Sequence, residues 1–213
     1  MTVVLLHAFP LDERMWAPQL DVVPDALTPR LYGRGATMDA WASSIADEVD
    51  GELVLVGASM GGYCALALAR RAPERVRALL LVGSRPDPDS DVRRAARAKT
   101  IELIRNGGPD ALWRDMAPKL FADPGVADAS LLFREPDGLV GAVEAIRDRA
   151  DSRDVAGELG DRLAFVVGEH DPFVSADDLR DYRTSTIRGA AHLPNLERSE
   201  EFNAQLEAVV ARV

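Results

Sequence analysis

The chain has 213 residues, 47% of them hydrophobic, which suits one domain with a full core. A formal net charge of −10 argues against nucleic acid or an anionic membrane surface as a partner. The single cysteine, Cys64, excludes an internal disulfide, no apolar run reaches transmembrane length, and no basic segment precedes a long apolar run at the N-terminus, so a cytoplasmic protein is expected.

In chain order, Thr2–Leu6 reads as a buried strand and opens into the loop His7-Ala8-Phe9-Pro10. Residues 25–28 read as a short, weak strand, with Pro29 suited to a sheet edge. Residues 38–49 carry Trp41, Ile45 and Val49 at helical spacing. Residues 52–56 form the next strand, 63–71 a helix stopped near Pro73, and 77–82 another strand. From about 87 to 151 no strand is evident. Helices are expected over 92–105, 110–116, 129–133 and 139–149, with Asn106-Gly107-Gly108-Pro109 as a break. This stretch reads as a helical cap inserted into a single domain spanning 1–213, suited to excluding water from a cleft. Residues 163–167 and Thr184–Ile187 are the last strands, and 200–210 closes the chain as a helix with Phe202, Leu206, Val209 and Val210 on one face. Apolar strands alternating with helices imply a parallel sheet covered on both faces, with ligands beyond the strands' carboxyl ends.

The strongest chemical signal is Gly57-Ala58-Ser59-Met60-Gly61-Gly62, set between a strand and a helix. A serine at such a turn needs neighbours with almost no side chain, and Gly57, Gly61 and Gly62 supply them. A serine hydroxyl is a poor nucleophile until a base takes its proton. Of the three histidines, His192 follows the last strand among small residues and is the expected base. His7 is the alternative, better suited to shaping its loop, and His170 is expected at the surface. Asp171, just past a strand end in Gly168-Glu169-His170-Asp171-Pro172, is the expected partner of the base; Glu169, Asp87 and Asp89 are the alternatives. Backbone N–H groups of Met60 and Phe9 are the expected oxyanion donors. Arg85 reads as a surface arginine at the cap hinge, or else as a partner for a substrate carboxylate. Arg93, Arg94, Arg97, Lys99 and Arg105 read as a solvated basic face paired to the acidic body. Trp113, Met116, Leu120, Phe121, Leu132 and Phe133 read mostly as the cap's own core, and Cys64 as a packing residue. No residue cluster has metal-ligand spacing, and no metal or cofactor is expected.

These motifs resemble those of the α/β-hydrolase superfamily. The segment from Leu6 to Trp16, with His7-Ala8-Phe9-Pro10 at its head, is similar to the His-Gly-Phe-Pro loop of its enol-lactonase-like, cofactor-free esterase branch. The Gly33-Arg34-Gly35 turn, Ala145-Ile146-Arg147-Asp148-Arg149-Ala150-Asp151 and Ala191-His192-Leu193-Pro194-Asn195-Leu196-Glu197 add to the likeness in the family's order. The resemblance implies Ser59, Asp171 and His192 as a triad in the chain order of that fold. It implies Phe9 and Met60 as the oxyanion hole. Family members usually carry two strands ahead of the one starting here at residue 2, so a smaller, mostly parallel sheet of about six strands is expected. Ala8, Arg30 and Ala191 depart from residues the family favours, which bears on substrate fit. The implied activity is hydrolysis of a small ester, lactone or thioester. The same triad used for proton abstraction, or a slow ligand-binding relative, are the other readings.

Overall fold

The computed structural model describes residues 1–213. Five strands, β1 (Thr2–Leu6), β2 (Leu53–Ala58), β3 (Val76–Val82), β4 (Leu163–Gly168) and β5 (Thr184–Ile187), form one parallel sheet in the order β1-β2-β3-β4-β5. Residues 25–28 do not extend it as a sixth strand. Leu27 alone bridges to Val4, exchanging hydrogen bonds of 2.8 Å with Val3 and Leu5. Pro29 follows at once and has no N–H to continue the ladder.

The strands are apolar at successive positions because both faces are buried. Val4, Leu6, Leu55, Leu79, Leu81, Phe165 and Val167 pack on one side in a core of 41 residues. That side is covered by α2 (Met38–Glu48), α3 (Met60–Arg71), α5 (Pro136–Arg147) and α6 (Arg153–Leu159). Leu5, Val56, Ala58, Leu80, Val82 and Val166 point the other way, into a core of 18 residues shared with Trp16, Phe202 and Leu206. The covering elements there are α1 (Ala17–Leu20), α7 (Pro194–Glu197) and α8 (Ser199–Val210).

Between β3 and β4 there is no strand. The long helix α4 (Asp91–Leu120) leads, followed by α5 and α6. The expected break at residues 106–109 is a kink: helical bonding continues on both sides, and only Gly108 departs, at φ 69° and ψ −174°. Of the helix expected over 129–133, only a single 3₁₀ turn, Ala129–Leu131, forms. Beyond it, Leu132 bridges to Leu11, the Phe133 N–H donates to the Pro10 carbonyl at 3.0 Å, and the Asp12 N–H donates to the Leu131 carbonyl at 3.1 Å. This segment is therefore stitched to the loop that leaves β1.

Candidate active site

Ser59 stands between the end of β2 and the start of α3. It is the only non-glycine residue with positive φ, at φ 48° and ψ −109°. Such a backbone costs on the order of 1–3 kcal/mol and persists only where its surroundings over-determine it. Here its N–H donates to the Val82 carbonyl at 2.7 Å. Its carbonyl accepts from the Gly62 N–H and from the Ser84 hydroxyl, each at 2.9 Å. The glycines have no room for a side chain. A Cβ on Gly57 would lie 2.5 Å from Gly62 Cα, and one on Gly62 2.0 Å from Ser84 Oγ. A Cβ on Gly61 would lie 2.0 Å from the Leu6 carbonyl oxygen. That last approach sets the start of α3 directly against the end of β1, so the loop carrying Phe9 leaves the sheet beside the serine.

His192 comes from the loop after β5. That loop packs backbone to backbone across the strand ends: a Cβ on Gly168 would lie 1.8 Å from the Ala191 oxygen, and one on Gly83 2.7 Å from the His192 oxygen. The imidazole Nε2 is 2.8 Å from Ser59 Oγ, and Nδ1 is 2.8 Å from Asp171 Oδ2. A carboxylate only accepts, so Nδ1 carries the proton and Nε2 is left to accept from the serine hydroxyl. Asp171 is itself fixed: its carboxylate is fully buried, and Oδ1 accepts the N–H groups of Phe173 at 2.8 Å and Val174 at 3.1 Å. Phe173 sits edge-on to the imidazole, ring centroids 4.8 Å apart, and remains exposed at the mouth of the site.

The other sequence candidates lie elsewhere. His7 is wholly buried, accepts from the Leu31 N–H at 2.9 Å through Nε2, and faces the Ala8 carbonyl at 3.3 Å through Nδ1. Burial drives its pKa down to about 4, so it is a neutral brace of the loop after β1. His170 is exposed beside Glu169. Glu169 accepts from the Gly189 N–H at 2.9 Å. Asp87 binds Arg85 at 2.6 Å and Arg93 at 2.5 Å; burial alone would raise its pKa, but the two guanidiniums outweigh it and hold it low. Asp89 is buried against Arg149 at 2.7 Å and Arg97 at 3.0 Å. Arg85 is thus ion-paired, and with 15% of its side chain exposed it is not the surface arginine expected from the sequence. Of the basic face of α4, Arg93, Arg94 and Arg97 are paired to Asp87, Asp148 and Asp89. Cys64 is buried in the core, and burial pushes its thiol up to about 12.

Met60 and Phe9 are both buried beside the serine's turn. As the first residue of α3, Met60 has an N–H with no acceptor inside the helix. A cavity of ≈ 390 Å³ opens between α5 and the Gly33–Gly35 turn, walled by Tyr32, Trp41 and Phe133. Tyr32 stacks on Phe133 at 3.8 Å and lies against His7 at 5.0 Å, so this wall separates the cavity from the loop after β1.

Two supporting elements escaped the sequence reading. Ser84, in Gly83-Ser84-Arg85-Pro86, holds the Ser59 carbonyl, and its only sequence cue was its place just past a strand end. Glu197 accepts three main-chain N–H groups, one from the histidine loop and two from beyond α4; its only sequence cue is its place at the end of the motif that begins Ala191-His192.

A strained serine on a strand-to-helix turn, a histidine and an aspartate in this chain order on a parallel sheet match a known pattern. The profile of the alpha/beta hydrolase family matches residues 3–205. The chain belongs to that family. Among its relatives, a pimeloyl-[acyl-carrier protein] methyl ester esterase of Aromatoleum aromaticum is 38% identical over 93 residues, 39% of this chain and 37% of that protein's length. Among solved α/β hydrolases, a thermophilic esterase from Thermogutta terrifontis, determined with malate bound, superposes with a TM-score of 0.89 at 29% identity, over 100% of this chain and 90% of the other. The enol-lactonase of Burkholderia xenovorans LB400 superposes with a TM-score of 0.83 at 21% identity, over 98% and 90%, a likeness of fold. No helix of this α/β hydrolase is long and apolar enough to cross a membrane.

Proposed function

We propose that this α/β hydrolase is a serine esterase that cleaves small carboxylic esters, lactones or thioesters through an acyl-enzyme on Ser59. The observation that carries the reading is the unbroken chain Asp171–His192–Ser59, with both links at 2.8 Å. His192 takes the Ser59 proton at Nε2 as Oγ attacks the substrate carbonyl, and Asp171 stabilises the imidazolium that forms. The N–H groups of Met60 and Phe9 hold the developing oxyanion. Collapse of the tetrahedral intermediate expels the alcohol or thiol, which takes its proton from His192. Water then adds to the acyl-enzyme with His192 again as base, releasing the acid and freeing Ser59. The helical stretch of about 87–151 acts as a cap over this site, its Leu132 and Phe133 seated on Leu11 and Pro10. Phe173, exposed beside the imidazole, borders the substrate's entry. The Aromatoleum relative is a methyl ester esterase, which makes methyl esters the first substrates to screen.

A fluorophosphonate probe, read by peptide mass spectrometry, tests the mechanism without a choice of substrate. Rapid modification of Ser59 that vanishes in His192→Ala is expected. Against any ester the protein hydrolyses, Ser59→Ala should lower kcat by about 10⁴-fold or more. Absence of labelling in the folded wild type, or near-normal turnover without the Ser59 hydroxyl, overturns the acyl-enzyme reading.

A further inference from the structure

Glu197 is a buried residue, and both of its carboxylate oxygens accept main-chain N–H groups, from two separate parts of the chain. Oε1 accepts from Ala122 at 2.7 Å and Asp123 at 3.1 Å, just beyond the end of α4. Oε2 accepts from Ala191 at 2.6 Å, the residue before His192. On the other side of the histidine, the Leu193 N–H donates to the Leu120 carbonyl at 3.2 Å. His192 is therefore flanked, one residue before and one after, by bonds that tie its loop to the foot of α4. Glu197 is held in turn by its own N–H, which donates to the Leu193 carbonyl at 3.2 Å.

We propose that Glu197 is a positioning residue that locks the His192 loop to the foot of α4, so that the seating of this helix and the aim of Nε2 at Ser59 Oγ are set together. The inference rests on the roles of Ser59 and His192 given above. The chemistry requires a carboxylate. Three N–H donors converge from two directions on two oxygens, and only an acid offers an acceptor to each. An amide at this place has one oxygen; its NH₂ group must face an N–H on one side, leaving a buried donor unpaired there. The loop then relaxes away from α4. Small displacements of a reacting group carry large rate penalties, because the base must sit within hydrogen-bond reach of the proton it removes.

The test is Glu197→Gln, with the fluorophosphonate labelling rate of Ser59 and the kcat and KM of an ester substrate measured well below the variant's Tm. The expected result is a labelling rate and kcat lowered by about 10–100-fold, with KM within about threefold of wild type. The downfield Nδ1 proton of His192, observed by NMR, should exchange faster with solvent in the variant. A lowered Tm with wild-type labelling of the folded protein would mean that Glu197 only supports the fold, and would overturn the proposal. If Glu197→Gln does not fold, Glu197→Asp keeps a carboxylate one methylene shorter and should label at a reduced rate; wild-type labelling there overturns the proposal equally. Failure of the wild type to label would remove the Ser59–His192 reading and this inference with it. Labelling that depends on His192 but not on residue 197 would remove this inference alone.

Discussion

The turn carrying Ser59 and the helices between β3 and β4 are held by opposite means. The turn is fixed by exclusion: backbone lies against backbone at Gly57, Gly61 and Gly62, and a single strained residue is caught between main-chain bonds to Val82 and Gly62. The helical stretch adds buried charge to its apolar packing. Arg149, with 4% of its side chain exposed, binds the fully buried Asp89, which also meets Arg97 and Arg93. Its guanidinium lies 4.0 Å from the centre of the Tyr63 ring on α3. Beside it, Arg85 and Arg93 share Asp87, and Arg85 reaches toward Asp178. A steric lock tolerates almost no change of shape. An ionic one tolerates change of shape but not the loss of a partner. A strained serine turn needs the first kind, and a helical stretch seated on the sheet can use the second.

The sharpest way to break the comparison is to add one methyl group in each region. Gly61→Ala places Cβ on the Leu6 carbonyl, where neither backbone can yield, and should cost more than about 4 kcal/mol or prevent folding. Gly141→Ala, in the middle of α5, meets nothing within 4 Å and should stabilise by about 0.5–1 kcal/mol. Thermal melts of the two variants check both signs. Equal effects would mean that the turn is not sterically locked.

Removing a partner tests the other half. Asp89→Asn preserves shape but leaves Arg149 buried without its counter-charge, at an expected cost of about 3–5 kcal/mol. The exposed pair Arg134–Asp110 is the control, since Asp110→Asn should cost less than about 1 kcal/mol. Urea unfolding midpoints separate the two. If Asp89→Asn matched the surface variant, the buried network would contribute no more than a surface pair, and the helices would owe their seating to apolar packing.

The steric lock was legible in the sequence; of the ionic one only the pairing of the basic face of α4 was, and its buried Arg149–Asp89 centre was not, for a physical reason. Continuous apolar runs, the glycines around Ser59 and the strand-end loops that carry Asp171 and His192 are local patterns, each read within a few residues. The Arg149–Asp89 bond joins residues 60 apart, and the Glu197–Ala122 bond joins residues 75 apart. Neither pairing leaves a mark on its own neighbourhood, and Arg149 and Asp89 each have other charges nearby with which a reader would pair them first. Residues 25–28 failed as a strand for the converse reason. Their composition allowed extension, but the pairing available to them is a single bridge at Leu27.

The remaining contrast separates the two regions by pH. His7 is sealed behind the loop after β1 and takes up a proton only near pH 4, against 6.5 in the unfolded chain. As the pH falls between those values the unfolded state binds more protons than the folded one, so stability declines, by up to about 1.4 kcal/mol per pH unit; above pH 6.5 the term vanishes. Asp87 and Asp148, paired to arginines of α4, are held low and keep their charge across that window. Acid between pH 6.5 and 4 should therefore act on the loop after β1 before it acts on the Asp87 and Asp148 ion pairs. His7→Gln supplies an acceptor for the Leu31 N–H and a donor for the Ala8 carbonyl without a titrating group. Its unfolding midpoint should be flatter than that of the wild type across the same window. Parallel pH profiles for the two proteins would assign the acid sensitivity to the carboxylates, and the contrast between the regions would then rest on shape and partner loss alone.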